Sequence, residues 1–229
     1  METETNPNVI NSKMNYSTPI AIVLAGIIIA GALYFSDSKK AVAPDTTNNT
    51  LNQKLVVNIK NVKTDNEPFI GNPNAPVAMA VWFDYLCGAC KYNEQNLISP
   101  LIEEYVKAGK LKIIFKDFAF LSPISEQIAV TGRAVWDTYP EKFYDWHKFM
   151  LANQGKNLPP TNFVGMDKDI LDKLVIKNEV QYKQNVQMDK AEGAKFGVNA
   201  TPSMIVSDQL IVGVPQYDVI KTMIDSLLK

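Results

Sequence analysis

The sequence VAMAVWFDYLCGAC, residues 77–90, joins a nearly continuous apolar run to two cysteines that are separated by two residues. An apolar run of this length is typical of a central strand that is covered on both faces. We predict that a long helix begins at the cysteines, is kinked near Pro100 and ends at Gly109. A second apolar run at residues 111–115 completes a right-handed βαβ unit, with the cysteines at its strand-to-helix junction.

The segments before and after this unit predict a short strand and a mostly helical stretch. A strand is expected at residues 55–59, and the proline-rich residues 66–76 predict a loop. Helical patterns fill residues 124–196, where Asp167 is the N-cap of one helix and a further helix ends at Gly197. We interpret this stretch as a helical insertion or lid.

The C-terminal part of the chain returns to strands. Residues 203–206 and 210–212 are short apolar runs around a turn, which predicts a hairpin. Residues 216–228 predict a closing amphipathic helix. The order of these elements indicates an α/β fold class.

Charge and composition exclude two classes of function. The 23 Lys and Arg residues are balanced by 24 Asp and Glu residues, for a formal net charge of -1, which excludes a nucleic-acid binder that works through bulk positive charge. The chain has two cysteines and one histidine, whereas a closed zinc site needs about four such ligands. A structural zinc finger built from these residues alone is therefore excluded.

An uncharged apolar segment lies near the N-terminus. Residues 18–36 contain no charge and, as a helix, span about 30 Å of hydrocarbon. They predict one transmembrane helix, a signal anchor, after a polar leader at residues 1–17. A signal peptide cleaved after residues 41–43 is the alternative, but the leader is long, has only Lys13 as a cation, and Pro44 follows the cleavage site.

The charges around this segment and the expected chemistry disagree about orientation. Lys13 precedes the segment while Lys39 and Lys40 follow it, which favours a cytoplasmic location for the C-terminal side. The thiol chemistry described below favours the opposite side. Residues 37–53 have the polar composition of a flexible linker, and residues 54–229 form the predicted globular domain.

The cysteine pair has four interpretations: half a metal site, a structural disulfide, a redox dithiol, or chance. A disulfide that closes a two-residue spacer adds little stability, so we favour the redox dithiol. Cys87 lies at the helix N-terminus, where the helix dipole stabilises its thiolate and lowers its pKa. Cys90 lies one turn further in and should stay protonated until a mixed disulfide forms. We assign Cys87 as the nucleophile and Cys90 as the resolving thiol.

Four sequence blocks, in this order and spacing, resemble the DsbA-like branch of the thioredoxin superfamily. They are GNPNAPV at residues 71–77, FDYLCGAC at 83–90, KIIFKDF at 112–118 and GVNATPS at 197–203. The second block is similar to the F-x-D-[FY]-x-C-x-x-C signature, and the last to the G-V-x-x-T-P segment. The resemblance covers about residues 55–229 and implies a thioredoxin fold with a helical insertion.

The resemblance also implies a substrate-binding role for Thr201 and Pro202. In this family the corresponding proline is cis and lies against the C-x-x-C, so the Thr201 backbone would meet an extended substrate segment beside the reactive sulfur. Without the resemblance, the sequence indicates only that Pro202 begins a strand. The implication is therefore tested by the conformation of this one peptide bond.

The chain departs from the family pattern in two places near the cysteines. Many relatives have a buried acidic residue six positions before the first cysteine, where this chain has Val81. Asp84 is the nearest carboxylate, and we assign it to the structure of the junction rather than to proton transfer. The Gly88–Ala89 spacer lacks the histidine or proline of the most oxidising relatives, so less stabilisation of the thiolate is expected and the direction of catalysis stays open.

The aromatic residues near the cysteines are interpreted as structural. His147 is the only histidine, and we assign it a packing or surface role rather than that of a proton shuttle. Trp82, Phe118 and Phe120 are expected in the core and at an apolar rim, and such a rim would suit unfolded substrates.

Together these observations predict a membrane-tethered thiol–disulfide oxidoreductase that faces the extracytoplasmic side. Its expected partners are cysteine-containing exported proteins, a membrane or thioredoxin-like redox partner, and the lipid bilayer; no nucleic acid, metal or organic cofactor is expected. One alternative is a tethered binding or assembly protein with a redox-inert cysteine pair. The other is a reductase or isomerase, including a reductase that faces the cytoplasm.

Overall fold

The structure, a computed structural model, describes residues 57–229. The predicted leader, transmembrane helix and linker lie outside this range. Within residues 57–229, no helix is both long enough and apolar enough to cross a membrane.

A five-stranded mixed sheet forms the centre of the described domain. Its strands are β1 (Phe69–Ile70), β2 (Val77–Phe83), β3 (Leu111–Asp117), β4 (Ser203–Val206) and β5 (Gln209–Val212). Their order across the sheet is β1-β3-β2-β4-β5. Only β2 and β3 are parallel among these pairs, which confirms the βαβ unit, and β4 and β5 form the predicted hairpin.

The crossover between β2 and β3 is one helical segment, α1, over residues 88–106. It is α-helical at Gly88–Asn93 and Ser99–Leu101 and π-helical at Glu94–Ile98 and Ile102–Val106. The hydrogen-bond register thus changes on both sides of the predicted kink. Prolines interrupt the regular ladder in this way because they cannot donate a backbone hydrogen bond.

Three helices lie between β3 and β4 and form the predicted insertion. They are α2 (Pro123–Thr138), α3 (Phe143–Ala152) and α4 (Lys168–Phe196); α5 (Tyr217–Leu227) closes the chain. The side chain of Asp167 caps α4, and Gly197, with φ of 93°, ends it. The expectation of two helices between these residues was wrong, because α4 is one helix of 29 residues. Its exposed, polar middle has too little apolar periodicity to show this continuity.

The predictions before β2 also need correction. The described part of residues 55–59 is no strand, since Ile59–Asn61 is a 3-10 helix capped by the side chain of Asn58. The first strand, β1, instead lies inside the predicted loop at residues 66–76, where it pairs antiparallel with β3. A strand of two residues is too short to show the alternation by which strands are recognised.

Both faces of the sheet are covered, as the apolar run predicts. Val81 and Phe83 belong to the larger core beneath α1, α2 and α3, whereas Ala80 and Trp82 belong to a second core. The Trp82 indole N–H donates a 3.0 Å hydrogen bond to the carbonyl oxygen of Asp189 in α4. The helical insertion is thereby attached to the strand that leads to the cysteines.

A buried ionic cluster joins α2 and α4 to β3. Lys116 and Arg133 are paired with four carboxylates, those of Glu67, Asp117, Asp189 and Glu192. Burial, together with the nearby charge of Asp189, raises the pKa of Glu67 to about 7. Burial raises the pKa of Asp117 to about 6, against the opposing effect of Arg133. The cluster therefore contains more carboxylates than its two cations neutralise.

Candidate active site

The β2–α1 junction is held by Asp84, whose side chain is fully buried. One carboxylate oxygen accepts a 2.8 Å hydrogen bond from the backbone N–H of Leu86, and the other accepts from the N–H groups of Phe120 and Leu121 at 2.9 and 3.1 Å. Three charge-assisted bonds to backbone groups fix the turn before the cysteines. The assignment of Asp84 to the structure of the junction is confirmed.

Cys87 is the N-cap of α1, at the strand-to-helix position that the sequence predicts. Its sulfur accepts a 3.4 Å hydrogen bond from the backbone N–H of Cys90, and its thiol lies 3.3 Å from the carbonyl oxygen of Thr201. Both cysteines are free thiols; Cys87 is partly exposed and Cys90 is buried. The outer sulfur is thus accessible to another protein while the inner one is not.

The two thiols have opposite proton affinities. A hydrogen bond from the Cys90 thiol lowers the pKa of Cys87 to about 5, with further lowering by Thr201 and by the N–H groups of Ala89 and Cys90. The same hydrogen bond and burial raise the pKa of Cys90 far above its usual value. None of these groups requires a histidine or proline in the spacer, so Cys87 is a stabilised thiolate at neutral pH although the spacer is Gly88–Ala89.

The loop before β4 brings Thr201 and Pro202 to the cysteines. The Thr201–Pro202 peptide bond is cis, as the resemblance implies, and Pro202 lines a small cavity together with Cys90. The carbonyl oxygen of Thr201 faces the Cys87 thiol. The four predicted site residues therefore lie together.

Gln154, in the segment after α3, is a site residue that the sequence analysis missed. Its side-chain amide donates 2.9 Å hydrogen bonds to the carbonyl oxygens of both Tyr85 and Cys87. It also lines a cavity of about 660 Å³ between α2, the segment after α3 and the start of α4. Nothing in the sequence marks this glutamine, because its partners are backbone atoms about 70 positions earlier.

The aromatic residues occupy the places expected of them. Trp82 is fully buried and Phe118 nearly so, whereas Phe120 is 45% exposed beside the junction. His147 is buried, and it contacts the rings of Phe83 and Phe115 at centroid distances of 4.6 and 4.7 Å. The packing role of His147 is confirmed, and its contact with Glu94 is treated below.

A mixed sheet of this order, a dithiol at the N-terminus of the crossover helix and an adjacent cis-proline loop define a thiol–disulfide oxidoreductase of the thioredoxin type. The family model described as "Thioredoxin" matches residues 63–226, and the chain belongs to this family. Its helical insertion and its relatives identify it as a DsbA-like member.

The most similar relatives have names that describe disulfide chemistry. The chain is 26% identical over 176 residues to "Disulfide bond formation protein D" of Bacillus subtilis, which covers 71% of this chain and 78% of that protein. It is also 26% identical over 194 residues to the "Probable disulfide bond formation protein D" of Bacillus anthracis, with 76% and 88% covered. The chain is therefore an enzyme of thiol–disulfide exchange.

Solved structures support the same conclusion. The thiol-disulfide exchange protein alpha-DsbA2 of Wolbachia pipientis is 28% identical with a TM-score of 0.64, and the match covers 70% of this chain and 87% of that one. Oxidised BdbD of Bacillus subtilis is 22% identical with a TM-score of 0.65, with 72% and 95% covered. The second similarity shows the fold alone.

Proposed function

We propose that the chain oxidises cysteine pairs of exported proteins, with Cys87 as the nucleophile and Cys90 as the resolving thiol. A substrate thiolate attacks the Cys87 sulfur of the disulfide form, the Cys87–Cys90 bond breaks, and Cys90 leaves and takes up a proton. The second substrate thiolate then attacks the substrate sulfur of the mixed disulfide and expels the Cys87 thiolate. The substrate is oxidised, and the enzyme is left as a dithiol.

The lowered pKa of Cys87 is the observation that carries the oxidising direction. A thiolate stabilised at a pKa of about 5 favours the reduced form of the enzyme, and it makes Cys87 a good leaving group. A pair with this property gives its disulfide to substrates more readily than a pair of ordinary thiols does.

We assign substrate binding to Thr201 and Pro202, beside an exposed apolar rim. The Thr201 carbonyl oxygen lies next to the reactive sulfur, where it can pair with the backbone of an extended segment. Phe120, Leu121 and Ile124 are between 45% and 57% exposed and follow the backbone groups that Asp84 holds. Such a surface fits the apolar side chains of an unfolded polypeptide.

We further propose that residues 18–36 anchor the enzyme in the lipid bilayer, with the domain on the extracytoplasmic side. The uncharged length of that segment supports the anchor, and the oxidising character of the dithiol supports a compartment in which disulfides persist. A redox partner, in the membrane or thioredoxin-like, would reoxidise the dithiol. Labelling of Cys87 in intact cells by a membrane-impermeant maleimide tests the orientation, because a cytoplasmic domain stays unlabelled until the cells are lysed.

The reduction potential of the Cys87–Cys90 pair tests the direction. The full-length protein is equilibrated in glutathione buffers and its thiols are trapped. We expect a value near or above about -180 mV, whereas a value near about -270 mV would identify a reductase. A pair that does not equilibrate at all would contradict the roles assigned to both cysteines.

A further inference from the structure

Thiol exchange requires a group that takes a proton from Cys90 and returns it. Cys90 is only 3% exposed, and the hydrogen bond with Cys87 and burial both raise its pKa, so it becomes a thiolate only if a nearby base takes its proton. Val81 occupies the position of the acidic residue found in many relatives. Asp84 is unsuitable, because both of its oxygens accept hydrogen bonds from backbone N–H groups.

A small enclosed cavity lies behind Cys90, on the side opposite the exposed sulfur of Cys87. Cys90, Asn93, Glu94 and His147 contribute to its wall. Cys90 and Glu94 are four residues apart in α1, a spacing that places side chains on one face of a helix. The cavity therefore joins the resolving thiol to a buried carboxylate of its own helix.

The environment of Glu94 keeps it ionised. Glu94 is only 4% exposed, and burial alone would raise its pKa. Hydrogen bonds from His147, Tyr144 and Ser99 outweigh burial and hold the pKa of Glu94 below its usual value. The Ser99 and Tyr144 hydroxyls donate to one oxygen, while the second oxygen lies 3.7 Å from His147 Nε2.

The titratable groups around Glu94 come from three elements. Cys90 belongs to α1, Tyr144 and His147 belong to α3, and Tyr85 of the β2–α1 turn is reached through His147 Nδ1, which lies 3.2 Å from its hydroxyl. None of the partners of Glu94 is a permanent cation, so its hydrogen bonds rather than an ion pair stabilise the carboxylate. Such a carboxylate can accept a proton without breaking a salt bridge.

One further atom indicates how the proton crosses the cavity. The side-chain oxygen of Asn93 is buried and has no hydrogen-bond partner among the described residues. A buried polar atom of this kind is usually satisfied by an internal water. The cavity volume of about 10 Å³ is close to the room that one water centre needs.

We propose that Glu94 is the proton acceptor for Cys90, through one water held by Asn93, with His147 and Tyr144 as positioning residues. When Cys87 holds a mixed disulfide, the Cys90 proton passes to the water and a water proton passes to the Glu94 carboxylate. The Cys90 thiolate attacks the Cys87 sulfur, the Cys87–Cys90 bond forms, and the outer sulfur leaves as a thiolate. In substrate oxidation, protonated Glu94 returns the proton to Cys90.

Reaction of the reduced full-length protein with dithiobis(nitrobenzoate) separates the two thiols. The first thionitrobenzoate is released when Cys87 attacks the reagent, and the second when Cys90 resolves the mixed disulfide on Cys87. We expect Glu94→Gln, which preserves volume, to slow the second phase at least tenfold near neutral pH. The pH profile of that phase should shift to more alkaline values, while the first phase changes less than twofold.

Matched variants distinguish this role from a structural one. Glu104→Gln, an exposed carboxylate of the same helix, should leave both phases unchanged, and Glu94→Asp should recover part of the second-phase rate. Asn93→Leu should slow the second phase although Glu94 is present. A second phase with the wild-type rate and pH profile in Glu94→Gln would overturn the proposal.

The inference rests on the exchange activity of the Cys87–Cys90 pair, and the first phase reports that activity separately. If the wild-type protein shows no first phase, then the proposed role of Cys87 fails. If the first phase is normal and only the expected effect of Glu94→Gln is missing, then the relay alone fails. Circular dichroism of each variant shows whether it is folded, and Asn93→Leu tests the relay independently should Glu94→Gln not fold.

Discussion

The Cys87 sulfur lies 3.4 Å from the backbone nitrogen of Cys90, within the same turn of α1 that the pair begins. The Cys90 thiol, in addition to this N–H group, is the largest cause of the lowered pKa of Cys87. The two groups can be separated by mutation, since a substitution of Cys90 removes the thiol and leaves the backbone N–H in place.

Cys90→Ala should raise the pKa of Cys87 above its wild-type value of about 5 while leaving it below that of an ordinary thiol. The thiol hydrogen bond is lost, but the backbone N–H groups of the first helical turn remain. Ultraviolet absorbance of the thiolate as a function of pH measures the change. Cys90→Ser, which retains a hydroxyl donor, should produce a smaller rise; an unchanged pKa in both variants would mean that the helix N-terminus alone controls Cys87.

Asp84→Asn should destabilise the domain by about 2–4 kcal/mol, because it replaces a charged acceptor of three backbone N–H bonds by an amide. Urea unfolding of the oxidised protein measures the loss. Asp208→Asn, in the exposed turn of the hairpin, is the control and should have little effect. If Asp84→Asn were equally stable but changed the pH profile of Cys90 resolution, the junction role would be wrong and proton transfer would be indicated.

Gln154→Ala should weaken the attachment of the helical insertion to the cysteine turn. The variant loses two hydrogen bonds to the Tyr85 and Cys87 carbonyl oxygens, for an expected loss of about 1–2 kcal/mol of stability. Faster amide hydrogen exchange around Cys87 should accompany this loss. Gln127→Ala is the matched control, since Gln127 lines the same cavity but is exposed; equal effects of the two substitutions would contradict the specific role of Gln154.

Local signals were sufficient to predict the fold around the cysteines. The apolar run at β2, its repeat at β3 and the intervening helical pattern require only neighbouring residues, and each was found where expected. The same holds for the N-cap at Asp167, whose side chain accepts from N–H groups two and three residues later. These features were predictable because capping and periodicity are properties of a single element.

The features that were missed depend on contacts between distant parts of the chain. β1 exists because Phe69 and Ile70 pair with β3, and a two-residue strand has no pattern of its own. Gln154 and the buried partners of Glu94 belong to α3 and the segment after it, and they reach the cysteines only through tertiary packing. A sequence shows such residues as ordinary polar positions, because hydrogen bonds across the fold leave no periodic pattern.

The buried cluster around Lys116 and Arg133 should make the domain more stable as the pH falls from about 8 towards 5. Burial and the neighbouring charge of Asp189 raise the pKa of Glu67 to about 7, whereas in the unfolded chain it titrates near 4.5. The folded state therefore binds more protons between these values. The stabilisation is complete below about 4.5 and is lost as the pH rises through about 7.

Glu67→Gln should flatten this dependence and leave the protein at least as stable as wild type at pH near 8, since it removes one of four carboxylates facing two cations. The expected change in slope corresponds to a difference on the order of 1 kcal/mol across the range. Urea unfolding at several pH values should be done with the disulfide form, because Cys87 in the dithiol form has a lowered pKa and contributes the opposite slope. Glu179→Gln, which removes an exposed pair with Lys183, should keep the wild-type slope, and a wild-type stability that instead rises with pH over this range would contradict the raised pKa of Glu67.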